Sequence, residues 1–145
     1  MQRFPLDKVL GYRSHVRLEK RNLLAAALAD ERTLLNYRQQ LVVKREQQTT
    51  ELSELFQQET LDVSATGRRS LYARRLDAEM SVIDQNIIEA RRRIEACRLE
   101  LVKADQDVKA LDRLKEKHVE EQTYLESRKT EHELGEQWQA ANWTW

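Results

Sequence analysis

Proline occurs once in these 145 residues, at position 5, and glycine only three times. So few chain breakers leave little room for sheet turns and a great deal for uninterrupted helix. Aromatic residues make up 6% of the chain against 34% charged residues, a poor composition for a thick globular core. Cysteine is as scarce: Cys97 stands alone, which excludes an internal disulfide framework and fits a reducing compartment. Long apolar runs are missing too. Nothing approaches the roughly 20 residues of a membrane span, and MQRFPLDKVL lacks the hydrophobic centre of a signal peptide, so a cytoplasmic protein without direct membrane insertion is expected. An excess of one charge sign is also absent. Basic and acidic residues both number 25, which removes any overall attraction for nucleic acid or anionic lipid.

What the chain does have is a seven-residue repeat. From Ala73 it is uninterrupted: Ala73, Met80, Ile87, Ile94, Leu101 and Val108 at one core slot, and Leu76, Ile83, Ala90, Cys97, Ala104 and Leu111 at the other. Such a repeat keeps one stripe against a partner helix only if the two supercoil, which predicts coiled coil. The first half repeats in apolar doublets instead: Ala27 and Leu28, Leu34 and Leu35, Leu41 and Val42, then polar Gln48 and Thr49, then Leu55 and Phe56. Glu31, Arg38 and Arg45 recur between them. This reads as a wide, interrupted seam and the less stable half.

Between the halves, TLDVSATGRR supplies the cap and turn residues Asp62, Ser64, Thr66 and Gly67. The expected fold is all-α, a long two-helix antiparallel coiled-coil hairpin forming a single domain over 1–145. Helix one is expected at about 5–61, a turn at about 62–67 that doubles the chain back near Gly67, helix two at about 68–134, and an aromatic tail at 135–145. At 1.5 Å per residue the helices would be rods of roughly 80 and 100 Å. Charge patterning agrees with antiparallel folding. Residues 3–22 are net +4 and 115–136 net −3, while 30–60 are net −2 and 68–98 net +3. That pattern predicts 3–22 beside 115–136, both chain ends at a common pole, and a contribution to register more than to stability.

Chemistry is hard to find. His15 with Glu19, and His118 with Glu121, have helical spacing for a shared ligand, but neither pair has a second cluster beside it, so no metal is expected. His132 sits in a charge run and reads as surface. Cys97 occupies a core slot, where a thiol packs as a small inert apolar group. No glycine-rich phosphate loop or Ser/His/Asp order is present, and two helices enclose no cavity that excludes water; no catalytic residue, no cofactor and no enzyme activity are expected.

Apolar and cationic residues off the seam point to partners instead. Arg68, Arg69, Arg74 and Arg75 crowd the turn, and Arg91, Arg92 and Arg93 form a second cluster. Either they face the acidic stretch 46–59 of helix one, or they contact RNA or lipid, with salt-sensitive binding; the zero net charge favours the first and no nucleic acid. Leu71, Val82, Ile88, Leu99 and Val102 fall on outward positions, a candidate docking stripe. In WQAANWTW, Trp138, Trp143 and Trp145 follow Gly135, where the helix is expected to break. They are expected to fold back over Phe4 and Leu6, with anchoring in a partner groove as the other outcome.

Three stretches together resemble a known family. FPLDKVLGYR at the start, LYARRLDAEMSVID after the turn and VKALDRLKEKHVEEQTYLESRKTEHELGEQW near the end resemble the flagellar type III export protein FliJ over nearly the whole chain. The weight lies in Phe4, Leu6, Val9, Leu10 and Arg13, and in Leu111, Leu114, Lys115, Glu116, Glu131, Leu134 and Glu136; Gly135 departs from the Asp the family usually has there. The resemblance implies a non-enzymatic stalk, cytoplasmic and peripheral to the cell membrane. It would couple the hexameric flagellar export ATPase to the membrane-embedded export gate and escort export chaperones.

It implies an ATPase-binding base of Phe4, Leu6, Val9, Leu10, Arg13, Leu114, Lys115, Glu131, Leu134 and Glu136, and a gate-binding tip of Arg69, Leu71, Tyr72, Arg75 and Glu79. On that reading Lys115, His118 and Gln122, which continue the seam in polar form, mark where the hairpin enters a many-sided socket. The homologous stalk of a virulence injection system, or a generic coiled-coil scaffold, are the alternatives.

Overall fold

The computed structural model describes residues 2–143 and contains two helices, α1 (Asp7–Phe56) and α2 (Val63–Trp143), with no strand among the described residues. They pack as an antiparallel two-helix hairpin, as the repeat predicts. The chain forms two compact units: one spans Asn22–Leu99, and the other joins the segment ending at Arg21 to the segment beginning at Glu100. No proline or glycine stands at either boundary, so nothing in the sequence punctuation marked them.

The turn lies earlier than expected. Helix α1 ends at Phe56 because the Gln57 and Gln58 amides turn back to Glu54 and Leu55 carbonyls, at 3.2 and 3.4 Å, a tightening of the last turn. Asp62 then caps α2: its Oδ1 accepts from the Ala65 amide at 3.1 Å, while its carbonyl accepts the first helical bond from Thr66 at 3.0 Å. Such a cap contributes about 1 kcal/mol, and it starts α2 five residues before the expected Arg68. Gly67 therefore lies inside α2 without a positive φ, and is not the point of reversal. The other end differs as well. Gly135 does not break the helix, and α2 continues to Trp143.

In the unit Asn22–Leu99 the α2 seam follows the repeat, with Ala73, Leu76, Ile87 and Ile94 buried and Met80, Ile83, Ala90 and Cys97 half-buried. In the other unit Ala104 and Val108 are buried, with Leu101 and Leu111 half-buried. The α1 seam is narrower than the doublets implied. The first member of each doublet faces inward, with Ala27 and Leu41 buried and Leu34 and Leu55 half-buried; of the second members only Val42 is half-buried, while Leu28, Leu35 and Phe56 are exposed. Leu24, Glu31, Arg38, Arg45, Gln48, Glu51 and Leu52 are half-buried beside them. One stripe serves a two-helix layer, because each helix has only one neighbour to bury against.

Gln48 is the costly member of that stripe. Its Nε2 donates to Glu51 at 3.3 Å, but its Oε1 is buried without a partner. Replacing it with leucine is expected to raise the unfolding free energy by about 1 kcal/mol, since an unsatisfied acceptor is exchanged for apolar contact at a core slot. Urea unfolding followed by circular dichroism measures it; a Gln48→Leu chain no more stable than the parent refutes the assignment of a penalty to that oxygen.

Candidate functional site

The residues implied as a base all lie in the unit containing both chain termini. Pro5 lies in the turn just before α1, where the Asp7 amide donates back to the Phe4 carbonyl at 3.2 Å. That fold of the chain buries Phe4 against the His118 ring, 5.6 Å between centroids, while His118 Nε2 donates to the Gln2 carbonyl at 3.0 Å. Lys115 reaches Asp7 at 3.2 Å, and Arg13 reaches Asp107 at 3.5 Å. His118 and Lys115 are thus occupied within the chain and hold its start onto α2. Leu10 is half-buried; Leu6, Val9 and Leu114 remain exposed.

Glu131, Leu134 and Glu136 are not brought to this cluster. Gln122 is the last half-buried residue of α2, and every position from 123 to 143 is exposed. Residue 143 therefore lies about 38 Å along the helix axis from His118, at 1.5 Å per residue. The expected common pole for both chain ends is accordingly corrected. The facing of residues 3–22 with 115–136 holds only at its start, where Phe4 and Asp7 meet His118 and Lys115; Arg13, Arg17 and Lys20 instead reach Asp107, Asp105 and Glu100. Trp138 and Trp143, 68% and 87% exposed, do not cover Phe4 or Leu6. Trp145 lies outside the described residues. Glu136 pairs along its own helix with His132 at 3.3 Å, just as His15 pairs with Glu19 at 3.0 Å. Among the described residues no three His, Cys, Asp or Glu side chains gather where they could hold a metal ion.

The residues implied as a tip belong to the unit Asn22–Leu99. Arg69 is engaged with Glu51, which also accepts from Gln48, and Glu79 accepts from the Tyr37 hydroxyl at 3.4 Å. Leu71, Tyr72 and Arg75 are exposed. Of the two outcomes for the arginines near the turn, Arg69 follows the first, facing the acidic stretch. Arg91 and Arg93 pair further along α1, with Glu31 at 3.2 Å and Asp30 at 3.9 Å.

An ion-pair ladder went unrecognised in the sequence. In the unit Asn22–Leu99 its rungs are Glu31 with Arg91, Arg38 with Asp84 at 2.6 Å and Arg45 with Asp77 at 2.9 Å. Each step of seven residues up α1 is matched by seven down α2, with opposite signs facing every time. Arg17 and Asp105, 3.3 Å apart, make the corresponding contact in the other unit. The signal was present as the spacing of 31, 38 and 45 against 77, 84 and 91. Hydrogen bonds from Lys109 and then Arg17 hold the Asp105 carboxyl below its ordinary 3.8. Its contribution is therefore complete above pH 3.8 and is lost as the pH falls further.

Among known protein families, curated proteins and solved structures, the chain matches none. Among the described residues no helix is long and apolar enough to cross a membrane. The clefts lined by Phe4, by Val119 and by Tyr37 are shallow and open.

Proposed function

We propose that this hairpin is a non-enzymatic stalk of the flagellar type III export apparatus, peripheral to the cytoplasmic membrane, which couples the hexameric export ATPase to the export gate and meets export chaperones. The FliJ resemblance supplies the system. The observation that supports it most is the packed start of the chain: Phe4, Asp7 and Arg13 are clasped to His118, Lys115 and Asp107, giving a stiff two-helix base. From it α2 projects onward as an exposed helix carrying Glu131, Leu134 and Trp138. A rigid base with one projecting helix suits insertion into a ring, since ordering entropy is already lost before binding.

Mixing the purified chain with the export ATPase is expected to raise ATP turnover. Val9→Asp with Leu114→Asp is expected to remove that stimulation while helicity stays the same, because both side chains are exposed and stabilise little. A wild-type chain that leaves the ATPase unaffected refutes the stalk reading, and the scaffold reading would take its place.

A further inference from the structure

Helix α2 presents one stripe to α1 and leaves a second uncovered. Within the unit Asn22–Leu99 that second stripe carries Ile88, Arg92, Glu95 and Leu99, which with Ala96 and Arg91 line a shallow open groove. The seam residues Ile87, Ala90, Ile94 and Cys97 take the positions facing α1, so α1 does not shield the groove. Ile88 is 43% and Leu99 66% exposed. Large aliphatic groups there add nothing to the hairpin and gain free energy only if a partner removes them from water.

The order of the four residues identifies the partner. Apolar, cation, anion, apolar follow one another at spacings of four, three and four residues. Read in the opposite direction the spacing is unchanged and the two signs exchange places. A second α2 laid antiparallel across a twofold axis between residues 93 and 94 therefore sets Ile88 against Leu99 twice and Arg92 against Glu95 twice. That is the self-complementarity an isologous contact requires. A parallel copy would oppose Arg92 to Arg92 and Glu95 to Glu95 instead.

We infer that this face of α2 pairs with the same face of a second copy of the chain. The charges are available for it. Arg92 has no ion-pair partner among the described residues, and Glu95 receives Arg98 on Oε1 at 2.5 Å, leaving its other oxygen to accept Arg92 of a second chain. Four side chains per copy make a small interface, so the dimer forms with rising concentration and is not constitutive. The inference is independent of the stalk reading, and either stands without the other.

Sedimentation equilibrium of the full chain over a concentration series up to about 1 mM, where weak contacts of this size associate, tests it. The mass is expected to move from one chain towards two. Arg92→Glu and Glu95→Arg are each expected to stay at one chain, because like charges then meet twice, and the double variant R92E/E95R is expected to associate like the parent. An equimolar mixture of the two single variants is expected to form a mixed dimer, since every pair across the axis is again opposite in sign. Unchanged circular dichroism separates loss of pairing from loss of fold. A parent chain that stays at one chain throughout overturns the inference. So does association that persists unaltered in both single variants, or a mixture that fails to associate when the parent does.

Discussion

Truncating Leu41 to alanine is expected to lower the unfolding free energy by about 3 kcal/mol, within the range for a fully buried leucine. Leu41 is 1% exposed, and it is one of the two largest side chains that are fully buried, with Val108. Its neighbours along the α1 stripe include Arg38 and Arg45, whose heads are tied to Asp84 and Asp77. The consequence is also local. Between Leu41 and Ala73 in the chain no residue is fully buried, and the turn is held by half-buried aliphatics and the contacts among Gln48, Glu51 and Arg69. Loss of Leu41 should therefore release residues 42–72 first, as a separate opening unit. Urea unfolding measures the total, and amide hydrogen exchange locates it. A loss below about 0.5 kcal/mol, the size of an ordinary surface change, would show that Leu41 is not the anchor of this segment.

Reversing one rung of the ladder comes next in size. Arg38→Asp is expected to cost about 2 kcal/mol: the exposed pair itself contributes up to about 1, and two carboxylates facing each other at the same place oppose folding by a similar amount. Restoring the opposite sign with Asp84→Arg is expected to recover most of it, and high salt should shrink both effects. The coupling carries more than stability. A slip of one heptad in one direction sets Glu31 against Asp84, and in the other sets Arg38 against Arg91, so the ladder penalises both neighbouring registers. Additive single effects with no recovery in the double variant would mean that the charges do not face one another.

The α2 seam was legible because its repeat is apolar at every slot, and hydrophobic burial needs no knowledge of the partner. The α1 stripe was not. Glu31, Arg38 and Arg45 look like breaks in a greasy seam until Arg91, Asp84 and Asp77 are set opposite, and pairing across helices is invisible to any reading of one helix alone. Gly67 misled for a related reason. Glycine permits a reversal but does not force one, and the Asp62 carboxylate accepting the Ala65 amide started α2 before the glycine was reached. Gly135 and the tail behaved likewise, since one glycine costs a helix only about 1 kcal/mol. Of the residues implied as a base, Phe4 packs on His118 and Arg13 pairs with Asp107, whereas Glu131, Leu134 and Glu136 lie beyond the last half-buried residue.

By itself, the sequence determined that this chain is helical and that its second half packs one apolar stripe against a partner helix, because period and composition act locally. The charges of its segments agree with an antiparallel partner, although the pairing they suggested for residues 3–22 with 115–136 is met only at Phe4 and Asp7. Only the tertiary structure decided where the chain turns, which charges meet, that His118 clasps Phe4, and how far α2 runs beyond that clasp. Those are choices between arrangements of nearly equal local energy, and contacts between residues far apart in the chain make the difference.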